Sequence, residues 1–147
     1  MANHVRRQIR EAAVTALTGL TTTGTRVKSS LVYPMQDGDL PGLRIDVGPE
    51  QIVVDSITAN PTMERTLQLV VQACVKQTAT YNDTIDAILK EVEIAIAAHQ
   101  ALGGAKHVLL QSITPALAGE GEKPIAVTTL VFEAPYYTTL AAPDVAV

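Results

Sequence analysis

The chain has 147 residues, enough for one hydrophobic core and one domain. Hydrophobic residues make up 47% of it, which excludes a disordered chain, and with four tyrosines, one phenylalanine and no tryptophan the core has to be aliphatic. The net charge of −4, from 11 basic and 15 acidic residues, excludes the global basic footprint of a DNA binder, and the scarcity of aromatics speaks against a stacking platform for single strands.

Residues 3–19 read as a helix. Val5, Ile9, Ala12 or Ala13, Ala16, Leu17 and Leu20 recur at spacings of three and four, Asn3 is a candidate cap, and Gly19 with the threonines after it marks the stop. Strands are expected at 25–33, at 42–47 and at 51–57. The segment 63–78 alternates: Leu67, Leu69, Val71, Ala73 and Val75 share one face, while Gln68, Val70, Gln72, Cys74 and Lys76 share the other. That pattern is a long half-buried strand whose mixed face meets solvent or a partner subunit. A second helix is expected at 82–101, capped by Asn82 or Asp83, with Ile85, Ile88 or Leu89, Val92, Ile96 and His99 as its seam and Gly103–Gly104 as its end. Strands at 106–113 and 123–137 follow, separated by a turn at Gly119 and Gly121. The tail after 139 has no periodicity and is expected to extend or fray. This order predicts an α+β fold, two helices packed on a mixed or antiparallel sheet of about five to six strands, with residues 1–139 as a single domain and 140–147 as a C-terminal extension.

The chemistry-bearing residues do not form a recognised site. Asp37 and Asp39 flank a glycine ahead of Pro41–Gly42, which is turn chemistry; a calcium loop of the EF-hand type needs more oxygen ligands and a closing glutamate. Asp46 and Asp55 fall on a polar strand face. Cys74 is the only cysteine, so no internal disulfide is possible, and a reducing compartment is expected. A dyad of Cys74 with His99 or His107 is conceivable, but a lone strand cysteine reads first as a small buried hydrophobe. His4, His99 and His107 form no metal motif, and no phosphate-binding or nucleophile-elbow sequence is present. No catalytic residue, cofactor-binding residue or metal ligand is therefore expected. The N-terminus lacks the apolar run of a signal peptide, and no uncharged apolar stretch is long enough for a transmembrane helix.

Over residues 4–139 the chain resembles the tail terminator, or tail completion, family of tailed bacteriophages, the family of the lambda minor tail protein U. The resemblance rests on the opening helix "HVRRQIREAAVTALTGL" followed by "TTTGTRVKSSLVYPMQDGDLPGLRI", on the long alternating strand at 65–76, on the helix "NDTIDAILKEVEIAI" and on the closing strand "IAVTTLVFEAPYYT". The chain departs from the pattern at its end, where Phe132 and Glu133 precede the tyrosines and a tail follows. The resemblance implies a non-enzymatic virion protein without a cofactor, assembled in the host cytoplasm and placed in the neck at the head-proximal end of the tail. It implies a homo-oligomeric ring, a hexamer, that caps the tail tube protein, stops tube growth and offers the surface that joins the head-tail connector. DNA passes through such a ring without specific binding, and no membrane is involved.

The interface candidates that follow are Arg6, Arg7 and Arg10 on the first helix, Asp37 and Asp39 in the quoted loop, Gln68 and Gln72 on the mixed face of the long strand, and Tyr136 and Tyr137 in the closing strand, of which one points in and one out. An exposed strand edge is a further candidate. Competing readings are another neck component (a head-completion or head-tail adaptor ring), a small enzyme with a cleft around Cys74, and a prophage-encoded regulator, for which neither helix offers a basic reading face.

Overall fold

A computed structural model describes residues 3–29, 37–118 and 124–147 of the chain. The expected turn at Gly119 and Gly121, and the second half of the strand expected at 25–33, lie outside the described residues. The first helix, α1, spans Val5–Leu17. Val5, Ile9, Ala13 and Leu17 are its buried residues, one every four positions, so a single stripe faces inward. The cap is His4 rather than Asn3: its Nδ1 accepts from the Arg6 N–H at 3.1 Å. Gly19 and Gly24 then take positive φ in the turn that leads away. The short strand β1, Val27–Ser29, follows, and a 3-10 turn at Asp37–Asp39 precedes the cis Leu40–Pro41 bond.

The two strands expected at 42–47 and 51–57 are one strand, β2, Gly42–Val54. Gly48 and Pro49 form a bulge inside it rather than a turn between strands: Val47 pairs with Leu69, but Glu50 pairs with Leu67, so β2 carries one extra residue. Because side chains alternate with period two, that extra residue moves Glu50, Ile52 and Val54 onto the face they would otherwise avoid. The long strand β3, Thr62–Lys76, matches its predicted alternation, with Leu67, Leu69, Val71, Ala73 and Val75 all buried.

The second helix, α2, spans Tyr81–Ala97 and buries Ile85, Ile88, Val92 and Ile96. Its N-cap is Thr80, two residues before the nearest predicted cap. The helix ends before the glycine pair, which instead sits in a 3-10 turn at Leu102–Gly104. Gly103 has φ +55°, and a Cβ there would lie 2.5 Å from the Ile9 backbone nitrogen; one at Gly104 would lie 2.6 Å from the Ala146 Cβ. The pair therefore permits close approach of this turn to α1 and to the tail. Strand β4, Leu109–Ala118, begins later than predicted, because before Leu109 only the Lys106 N–H reaches across, to the Pro135 carbonyl at 2.8 Å. Strand β5 spans Ile125–Thr139.

The five strands form one mixed sheet in the order β1-β2-β3-β5-β4, with β1 parallel to β2 and every other pair antiparallel. Both helices pack on one face in a continuous core that includes Leu43, Ile45, Leu130 and Phe132. Each of these buried apolar side chains contributes about 1.5–3 kcal/mol relative to exposure. The tail does not trail off: the Val5 N–H donates to the Pro143 carbonyl at 3.1 Å, and the Val147 N–H donates to the Tyr137 carbonyl at 2.9 Å. None of the described helices is long and apolar enough to cross a membrane.

Candidate assembly surfaces

The thiol of Cys74 is poorly suited to chemistry. It is 4% exposed, and burial pushes its pKa up to about 11, an effect the charge of Arg44 only partly offsets. At neutral pH the thiol stays protonated and is a weak nucleophile. It also lies on the sheet face opposite the helices, since its neighbours Ala73 and Val75 belong to the helix-covered core. His99, exposed at the end of α2, is on the other side and has its Nδ1 2.8 Å from the Ala95 carbonyl. His107 precedes β4, two strands away from β3. The structure thus does not bring the conceivable Cys–His pair together. Among the described residues no group of three or more His, Cys, Asp or Glu side chains is placed to hold a metal.

The Asp37–Asp39 stretch is a turn, as its Gly-Pro chemistry predicted, and Asp39 lies 3.6 Å from the Lys28 ammonium, a contact that fastens the turn to β1. The three arginines of α1 diverge. Arg6 reaches across to donate to the Gly48 carbonyl at 3.2 Å, holding α1 against the bulge. Arg7 is exposed and pairs with Glu11 at 2.7 Å one turn on, a contact worth only a few tenths of a kcal/mol, about 0.3–0.5. Arg10 is half-buried beside Glu11, Val14 and Ser29.

Gln68 and Gln72 lie on the sheet face away from the helices, with Val70, Val127, Thr129 and Val131 around them. Gln72 donates to the Thr129 hydroxyl at 3.3 Å. Gln68 lines a small recess of about 180 Å³ with Pro49, Gln51, Thr66, Gln111 and Glu133. No described helix crosses this face. It is half apolar and half polar, the composition of a surface that tolerates water.

Tyr137 is half-buried, with the Lys106 ammonium 5.7 Å from the centre of its ring. Tyr136 has no exposed surface, so its place is in the core and not on a contact face. Its hydroxyl donates to the Glu50 carboxylate, whose other oxygen is 3.3 Å from Arg65 Nη1; Arg65 Nε in turn donates to the Thr138 hydroxyl at 2.9 Å. Burial, then the bond to Glu50 and its negative charge, push the Tyr136 phenol well above its usual pKa. This buried cluster exists because the bulge turns Glu50 inward opposite Leu67, one pair along from Arg65.

The conspicuous exposed groups were not among the sequence candidates. One set lies at the free end of the β2–β3 hairpin: Ile52, Val53, Val54 and, in the loop, Ile57. The other lies along β4: Leu109, Ile113 and Leu117. β4 is the sheet edge, and among the described residues no strand pairs with Gln51–Val54 on the side away from β3. The only sequence signal for the first set is the run Ile52-Val53-Val54, which is apolar on both faces of a strand.

No protein-family model matches the chain, and no curated protein matches it. Among solved structures it is similar to a chain of the virion of a native gene transfer agent particle, at 20% identity over 92% of this chain and 92% of that chain, with a TM-score of 0.49.

Proposed function

We propose that this chain is a structural virion protein that closes the head-proximal end of a phage tail tube as a ring of identical copies, ending tube growth and presenting the surface to which the head is joined. The observation that carries the reading is the placement of two unlike apolar patches at different edges of one sheet, the hairpin end at Ile52–Val54 and the β4 edge at Ile113 and Leu117. Contacts between unlike patches join copies head to tail, and such contacts close into a ring when the rotation between neighbours divides a full turn. The resemblance of residues 4–139 to the tail terminator family points the same way and supplies the tube and the connector as neighbours. The acidic balance of the chain suits a passage that DNA traverses without being gripped.

The test is the solution mass of the purified protein by light scattering over a concentration series, with and without purified tail tubes. A mass near six copies, or a single copy that assembles only when tubes are added, is expected. A chain that remains a single copy and ignores tubes refutes the reading. Assembly on head-side connector proteins but not on tubes moves the protein to the other side of the neck.

A further inference from the structure

Resting on the reading that copies close into a ring, we propose which surfaces meet: the tip of the β2–β3 hairpin of one copy seats in the groove between α2 and β4 of the next. The tip is apolar and outward. Ile57 is fully exposed, and Val53 and Val54 are 60% and 61% exposed. It is also held in shape. The Asp55 N–H donates to the Thr62 carbonyl at 2.8 Å, and the Thr62 N–H donates to the Ser56 hydroxyl at 2.9 Å. Asn60 Oδ1 accepts from the Ala141 N–H at 2.9 Å, and the Pro61 carbonyl accepts from the Leu140 N–H at 3.0 Å. A large apolar side chain held outside by a hydrogen-bonded loop is presented to something, because ordering it against water alone gains nothing.

The receiving surface is on the helix side of the β4 edge. A groove of about 310 Å³ runs there, lined by Glu93 and Ala97 of α2 and by Leu110 and Phe132 of the sheet. Ile113 and Leu117 pair with the core residues Leu130 and Ala126, so both point to the helix side and extend the groove, but α2 does not reach over them. Leu117 is left 62% exposed.

Geometry excludes the chain's own tip, which leaves the tip of the neighbouring copy in the ring as the occupant. Val54 is aligned through Met63 with Thr138, and Ile113 with Leu130, eight residues along β5 and three strands across. At ~3.4 Å per residue and ~4.8 Å per strand the tip and the groove are roughly 30 Å apart on one rigid sheet, so a chain cannot fill its own groove. Strand addition along β4 is disfavoured as the alternative mode. Pro115 has no N–H to give, and the register shift between Leu110 and Ser112 breaks the regular ladder. Side-chain packing is what remains. The five exposed residues Ile52, Val54, Ile57, Ile113 and Leu117, at the tip or on the helix side by register, hold about 380 Å² of apolar side-chain area, taking ~120 Å² for a fully exposed aliphatic. A small stable interface buries about 1,200 Å² in total, of which roughly 60% is apolar. The two patches therefore supply about half of the apolar area such a contact needs.

Two variants test the assignment, each at an exposed position where folding is unaffected: Ile57→Asp spoils the tip, and Leu117→Asp spoils the groove. Under the condition in which the wild type assembles, alone or with added tubes, each variant by itself is expected to run as a single copy by light scattering, with an unchanged far-UV circular dichroism spectrum. Mixed in equal amounts, they are expected to form a species of twice the single-copy mass and nothing larger, because one intact tip then meets one intact groove. Variants that assemble as the wild type does, under the condition in which the wild type assembles, overturn the tip-to-groove contact while leaving the ring standing. Single copies that fail to pair on mixing overturn it as well. A wild-type chain that is a single copy with or without tubes overturns the ring reading beneath it.

Discussion

The buried cluster behind the bulge offers the sharpest test of the fold. Arg65 and Glu50 have side chains only 9% and 6% exposed and lie 3.3 Å apart. Replacing Arg65 with leucine leaves the Glu50 carboxylate buried, with the Tyr136 hydroxyl as its remaining bond. Removing one partner of a buried ion pair costs about 3–5 kcal/mol, because the other charge is left uncompensated in a poorly solvated place. For a chain of this size each kcal/mol moves the melting midpoint by about 2–4 °C, so Arg65→Leu is expected to lower Tm by roughly 10 °C. The double variant Glu50→Leu/Arg65→Leu removes both charges. It is expected to regain most of that loss and to retain a deficit of about 1–3 kcal/mol from the Tyr136 hydroxyl, now buried without its acceptor. Urea denaturation at neutral pH of the wild type, both single variants and the double closes the cycle. A loss below about 1 kcal/mol for Arg65→Leu, or additive costs in the double, would refute the view that these charges are coupled and dry.

Two further outcomes follow from particular contacts. Gly103→Ala is expected to cost about 2–4 kcal/mol, since it combines a left-handed backbone with a Cβ 2.5 Å from the Ile9 nitrogen; thermal denaturation measures it, and a wild-type Tm shows that the turn moves off α1 without cost. Stability is expected to fall in alkali. The Cys74 thiol is raised from 9.0 to about 11 in the folded chain, so the folded state keeps a proton that the unfolded state gives up. Its contribution is whole below pH 9 and is lost as pH rises through about 11, a change on the order of 3 kcal/mol. The raised Tyr136 phenol acts with the same sign beginning near pH 10. Denaturation series from pH 8 to 11 on the wild type and Cys74→Ala check this, with a flatter profile expected for the variant; identical slopes contradict it.

How much of this was legible depended on whether a signal has one cause or two. The stripe on α1 and the alternation on β3 are legible because a period of four or two over a dozen residues has one physical explanation, a single buried face. Gly48–Pro49 has two. The pair reads as a turn, and in this chain it is a bulge within a continuous strand, which decides on which face Glu50 lies. Gly103–Gly104 is equally double: it reads as a helix stop, yet its use is contact with α1 and the tail. The caps slipped by one or two residues, to His4 and Thr80, because several polar residues compete at each helix start. Adjacent Tyr136 and Tyr137 must point one in and one out; the sequence does not say which, and the phase of β5 buries Tyr136.

The apolar patches were hidden for a different reason. Periodicity reports that a residue is apolar, and it is silent on whether the covering atoms come from the same chain. Ile113 and Leu117 alternate like any core-facing strand residues, and they do face the helix side; what leaves them bare is that α2 stops short of the β4 edge. The hairpin end differs, since its loop is held by the tail at Asn60 and Pro61, which accept from Ala141 and Leu140. The tail is itself fixed to α1 through Pro143 and, at Gln8, through the Asp144 carbonyl at 2.8 Å. The tip is thus braced by the first helix through the tail. A surface ordered before its partner arrives gives up less entropy on association. A tail folded back onto the domain therefore lowers the entropic cost of any contact the tip makes.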